Sequence, residues 1–293
     1  KVSELPETMF RQALSLASRL GPGKPSCSRS LAACSPSPSR CFRWLFARCS
    51  VSVSPVRSYT VSPSTPLTQA EEPKRKLPLQ PRVIVATGAR LRDLCPAEQS
   101  PFIEAEFTSP DVASLFEGAH VIPDVITEAE EEILVSELRP RLEKRSYLTE
   151  HWDHVISKYR ELQTLKWSDE RCMDLLDRLG AFYRTEASIQ PLVHILDYAD
   201  GYTLGAHVDH VSYCGDHIVG LSLLSDCVIV LRHQESDSVV RMLVPRRSVY
   251  VMRDEARYHW AHEIRSGEDQ FAGRSIQHTH RIALITRSEP LIK

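Results

Sequence analysis

Apolar positions along the chain change period near residue 192. Upstream they recur at helical spacing. Ser109, Pro110 and Asp111 supply an N-cap, a first-turn proline and a first-turn acid for a short helix through Phe116. Thr127 and Glu130 form a capping box ahead of Ile133, Leu134, Leu138 and Leu142, with Pro140 expected to bend or end that helix. Ser168 is the expected cap of another helix carrying Cys172, Met173, Leu175, Leu176, Leu179 and Phe182. From Leu192 the period becomes two. Strands are expected at 192–198, 202–208, 218–224, 227–232, 239–244, 248–252 and 281–287. Helices followed by many short strands imply an α+β fold, with helices buttressing a jelly roll or a closed barrel.

Composition divides the 293 residues unevenly. From Met9 to Ala70 there is no Asp or Glu, whereas Arg11, Arg19, Arg29, Arg40, Arg43, Arg48 and Arg57 are spread through Ser, Ala and Pro. An arginine-rich, serine-rich, acid-free leader with amphipathic character reads as a mitochondrial transit peptide, or else as a low-complexity leader without an address. It is assigned to 1–69, followed by a linker or irregular arm at 70–108 and the folded domain at 109–293. Within the arm, 82–86 is strand-like and either pairs with a sheet edge or stays loose. The net charge of -2 averages a basic leader and a more acidic body, and gives no support to a strongly nucleic-acid-attracting surface. The cysteines show neither CxxC pairs nor a disulfide framework, which suits a reducing compartment. No apolar run reaches membrane-spanning length, so no membrane insertion is expected, and the domain is expected as a monomer.

The chemistry centres on His207-Val208-Asp209. On a strand, residues two apart face the same way, so the imidazole and the carboxylate can hold one metal. His151-Trp152-Asp153 spells the same tripeptide, but in an apparently helical stretch, where a two-residue step turns the side chains apart. A distant histidine would complete a 2-His-1-carboxylate facial triad, which leaves positions open on Fe(II). The candidates are His262 and, three residues earlier, His259. A rival set for a closed zinc site is His207, His210, Cys214 and His217. Arg281 and Arg287, six positions apart on one strand, share a face while Ile282, Leu284 and Thr286 alternate away. Guanidiniums on an inward face need carboxylates, either protein acids or those of a bound dicarboxylate.

Together, His207-x-Asp209, His262, Arg281 and Arg287 resemble the AlkB-like family of Fe(II)- and 2-oxoglutarate-dependent dioxygenases. The chain is most similar to its mitochondrial branch, AlkB homologue seven, through Cys214-Gly215, Gly220 to Ser225, Ser248 to Arg253 and His262-Glu263-Ile264, over roughly 111–290. The resemblance implies a double-stranded β-helix core. It implies His207, Asp209 and His262 as iron ligands, Arg281 on the distal carboxylate of 2-oxoglutarate and Arg287 near its iron-proximal end. Tyr250 would donate a hydroxyl to the cosubstrate, with Tyr198 as its rival, and Leu196 stands where bacterial-type members place an asparagine. It further implies that O2 and 2-oxoglutarate are consumed, with succinate released and a substrate hydroxylated, and it links the branch to mitochondrial necrotic death after alkylation damage. Because 127–191 reads mainly as helix rather than as base-gripping hairpins, an open site and a protein substrate are expected. RNA is the alternative, kept alive by the basic clusters 139–145 and 241–247, and a scaffold without turnover is a third reading.

Overall fold

The computed structural model describes residues 83–94, 100–106, 109–150 and 155–290. The leader and the His151-Trp152-Asp153 tripeptide lie outside the described residues.

The strands are β1 (Ile103–Ala105), β2 (Ala119–Ile122), β3 (Leu148–Glu150), β4 (Ile156–Thr164), β5 (Val193–His207), β6 (His217–Leu223), β7 (Cys227–His233), β8 (Val239–Val244), β9 (Val249–Arg253), β10 (Trp260–Ile264), β11 (Glu268–Phe271), β12 (Arg274–Gln277) and β13 (Arg281–Arg287). The helices are α1 (Pro110–Gly118), α2 (Glu128–Leu142), α3 (Glu170–Asp177) and α4 (Asp254–Tyr258).

Strand β5 explains the architecture. Its first half, His194 to Tyr198, pairs with β13, and its end, Leu204 and His207, pairs with β10. From β5 one sheet runs through β13, β6, β9 and β2, and the other through β10, β7, β8 and β1, every pair antiparallel. Apart from β11 and β12, which pair only with each other, the strands from β5 to β13 are thus dealt between two facing sheets, which is a double-stranded β-helix. The two strands expected at 192–198 and 202–208 are one continuous strand, because Gly201 takes a positive φ of 66° inside it instead of opening a turn.

Alternation along β13 divides the packing. Ile282 and Leu284 join Leu134 and Leu138 of α2 and Leu175 and Leu176 of α3 on the outer face. Ala283 and Ile285 face the interior with Tyr198, Ile229, Met242 and Trp260. Each fully buried leucine of the outer layer contributes roughly 1.5–3 kcal/mol, so the helices brace the sheet that carries half the site.

Four expectations need correction. Helix α2 continues through Pro140 to Leu142, since a proline near a helix end disturbs few hydrogen bonds. The side chain that caps α3 is Asp169 rather than Ser168, accepting from the Arg171 N–H. Packed structure starts upstream of 109: Ile84 and Ala86 are buried, the Thr87 N–H donates to the Gly180 carbonyl, and β1 pairs with β8. Finally, 127–191 is not mainly helix, because β3 and β4 form an antiparallel pair and β4 adds to the edge of β5. Lys158 sits in a bulge with φ 51°, which puts Ile156 and Tyr159 on one face and mimics helical spacing.

Candidate metal centre

Strand pairing brings the two histidines together. His207, the last residue of β5, lies directly opposite His262 of β10, and their ring centroids are 4.1 Å apart. Asp209 follows just beyond the strand end. Its Oδ1 is 3.4 Å from His207 Nε2 and 3.9 Å from His262 Nε2. One ligand atom from each of the three residues falls within 4.8 Å of the others. The protonated Nδ1 of His207 donates to the Gly205 carbonyl at 2.9 Å, which leaves Nε2 as a lone-pair donor aimed at the shared point.

Electrostatics favour the ligating forms. Burial, reinforced by the neighbouring His207, pushes His262 down to about 3, so its imidazole is neutral at pH 7. Burial would raise the carboxyl of Asp209, but Arg287, followed by His207 and His262, outweighs it and holds the group well below the usual carboxylate range. Two imidazole nitrogens and one carboxylate suit a divalent first-row metal with open positions.

The two arginines divide their roles. Arg287 Nε donates to Asp209 Oδ2 at 2.7 Å. Among the described residues Arg281 has no carboxylate in contact and its Nη2 has no hydrogen-bond partner: it is 1% exposed, and its Nε donates to Ser222 Oγ at 2.9 Å. Tyr198, its cross-strand neighbour on β5, places its ring 5.6 Å from the guanidinium. A buried cation with a spare donor is costly unless a bound anion meets it, so this wall fits the free carboxylate of a metal-chelating keto acid. Tyr250 of β9 is buried in the same interior, and burial raises its phenol, keeping it a donor. Leu196 is part of that apolar lining.

The rival zinc set does not assemble. Among the described residues, only His207, Asp209 and His262 form a group of three or more metal-capable side chains. The Cys214 thiol is pushed up to about 11 by burial, away from the thiolate that zinc requires, and His210 Nδ1 accepts from the Ser212 N–H. His259 faces Glu255 at 3.5 Å on the surface, outside the group.

Residues 137–287 match the family model described as the 2OG-Fe(II) oxygenase superfamily. The chain belongs to this superfamily. It is therefore a dioxygenase that uses Fe(II), 2-oxoglutarate and O2. Among curated relatives of this oxygenase, the mitochondrial alpha-ketoglutarate-dependent dioxygenase alkB homolog 7 of Mus musculus is 37% identical over 178 residues, covering 60% of this chain and 80% of the mouse protein. The Bos taurus protein of the same name is 37% identical over 181 residues, covering 61% and 82%. A solved prolyl-4-hydroxylase from Pseudomonas putida is similar at a TM-score of 0.42 and 15% identity, covering 60% of this chain and 94% of that one.

Sequence reasoning assigned no role to Ser222, His194 or Glu161. Their parts depend on which strands become neighbours, and no local motif marks them.

Proposed function

We propose that His207, Asp209 and His262 bind the iron of this oxygenase, that Arg281 holds the distal carboxylate of 2-oxoglutarate with Tyr250 as a hydroxyl donor, and that the substrate hydroxylated in the mitochondrial matrix is a protein. The observation that carries the reading is the convergence of three ligand atoms on one point, together with the buried Arg281 guanidinium on β13, the strand paired with β5, whose Nη2 has no hydrogen-bond partner.

When bound, the iron couples oxidative decarboxylation of 2-oxoglutarate, giving succinate and CO2, to insertion of one oxygen atom into a substrate C–H bond. The chain's own residues prepare that chemistry. Gly205 fixes the tautomer of His207, and Arg287 keeps Asp209 ionised. The ring of Tyr198 and the apolar lining around Arg281 exclude water from the cosubstrate end, so a single charge-assisted contact suffices to orient the dicarboxylate.

Charge distribution supports a protein over RNA. Of the basic clusters, Arg241 pairs with Glu106, Arg246 with Glu131 and Arg247 with Asp124. The other cluster begins in the last turn of α2, whose apolar face packs on the outer side of the sheet, away from the interior that holds the site. A nucleic-acid surface would need those cations free. The β3–β4 pair removes the absence of hairpins as an argument, so the ion pairing bears the weight. The matrix location rests on the acid-free leader and on the names of the relatives.

Protein prepared without O2 and then supplied with Fe(II), 2-oxoglutarate and O2 should release succinate, and His207→Ala should abolish this. Mitochondrial extract treated with each form then reports the substrate. A protein gaining one oxygen only with the active form supports the reading, whereas RNA losing methyl groups instead would overturn the substrate assignment. Unchanged turnover in His207→Ala would overturn the metal site.

A further inference from the structure

Behind Asp209 the structure continues in a chain of polar contacts that ends at the edge strand. Asp209 Oδ1 faces the two imidazoles, while Oδ2 accepts from Arg287 Nε at 2.7 Å. Arg287 Nη1 is 3.3 Å from Nδ1 of His194, and His194 Nε2 is 2.8 Å from Glu161 Oε2. Only one proton arrangement satisfies every link. Arginine has donors and no acceptor, so Nδ1 of His194 must present its lone pair. Nε2 then carries the proton and donates to the Glu161 carboxylate. A proton on Nδ1 would set two donors against each other.

We infer that His194, oriented by Glu161, is a positioning residue for the metal centre, holding Arg287 on Asp209 so that a single carboxylate oxygen is left for the metal. The inference rests on the metal-binding reading proposed above. Arg287 has a long, rotatable side chain, and one contact to Asp209 would leave its terminal nitrogens free to swing. The His194 acceptor fixes the far end of the fork. With Oδ2 engaged, Asp209 offers Oδ1 alone, and the position that a second oxygen would take stays open for the bidentate cosubstrate. His194 lies opposite Ile285 on β13, and Glu161 lies opposite Leu196 across the β4–β5 pair. The edge strand is thereby tied to the site.

The test titrates the metal-free full chain with Co(II), following visible absorption, and then adds 2-oxoglutarate to the loaded protein. His194→Leu keeps an apolar filler but removes the acceptor. It should bind Co(II) roughly tenfold to a hundredfold more weakly than wild type, with a weaker 2-oxoglutarate response. His194→Asn, whose side-chain carbonyl can accept from Nη1, should lie severalfold closer to wild type. Glu161→Leu, on the edge strand, reads the same link from its far end if His194→Leu does not fold, and should shift affinity in the same direction by less. A merely structural role would lower the melting temperature of both His194 variants without separating their affinities, and that result overturns the inference. So does a His194→Leu protein that binds both ligands like wild type. Wild-type protein that takes up no Co(II) would overturn the metal-site reading itself, and this inference with it.

Discussion

Gly220 of β6 lies beneath the ring of Tyr250 on β9, its cross-strand partner, so closely that a Cβ built on the glycine would be 2.2 Å from ring carbons and 2.5 Å from the hydroxyl oxygen. The missing side chain is the space the phenol occupies. Gly220→Ala must therefore displace Tyr250 or part the two strands, at a cost of about 1–3 kcal/mol of stability by denaturant unfolding. It should also raise the KM for 2-oxoglutarate. Adding Tyr250→Leu should recover stability but not the KM, whereas an unaltered midpoint in the single variant would show that the ring moves freely.

Arg281→Met separates a functional charge from a structural one. The guanidinium has no acid partner in contact among the described residues, so the ligand-free variant should melt at or above the wild-type temperature, since an unpaired buried charge has gone. Affinity for 2-oxoglutarate should fall roughly tenfold to a hundredfold, the worth of a charge-assisted contact. Calorimetric titration of the metal-loaded protein measures it. A strongly destabilised variant with normal affinity would make Arg281 a scaffold residue.

Acid should destabilise the metal-free protein through His262. In the fold its imidazole takes a proton only near about 3, whereas in the unfolded chain it does so near its ordinary value of 6.5. Between these values the unfolded state holds more protons, so stability rises with pH across the window and is lost as pH falls through it. The depressed Asp209 acts in the same direction at lower pH. Urea midpoints between about pH 4 and about pH 7 should show this slope, and His262→Leu should flatten it. An identical slope in the variant would mean that the imidazole is charged in the folded state.

Thr127→Ala serves as a control distant from the chemistry. The Thr127 hydroxyl accepts from the Glu130 N–H at 3.3 Å, and the Glu130 carboxylate accepts from the Thr127 N–H at 2.8 Å. Losing half of that cap should cost about 1 kcal/mol. Because α2 packs on the outer face of the sheet, kcat and KM should not change. A change in either would show that the helix layer strains the site.

By itself the sequence determined the local features whose physics is local: the caps at Ser109 and Thr127, the inward step of Arg281 and Arg287, and the run of strands that follows residue 192. It also marked His207 and Asp209, since two residues of separation keeps both near one point even though β5 ends at His207. The family resemblance pointed to His262, but what puts that residue rather than His259 beside His207 is a register across β5 and β10, which only the tertiary structure supplies. It alone revealed β3 and β4, whose bulge at Lys158 disguises strand periodicity, and the contact of Arg287 with Asp209 beside an unpartnered donor on Arg281. Side-chain periodicity is set by backbone dihedrals within a few residues, whereas the partner of a buried charge is whatever strand the fold lays beside it.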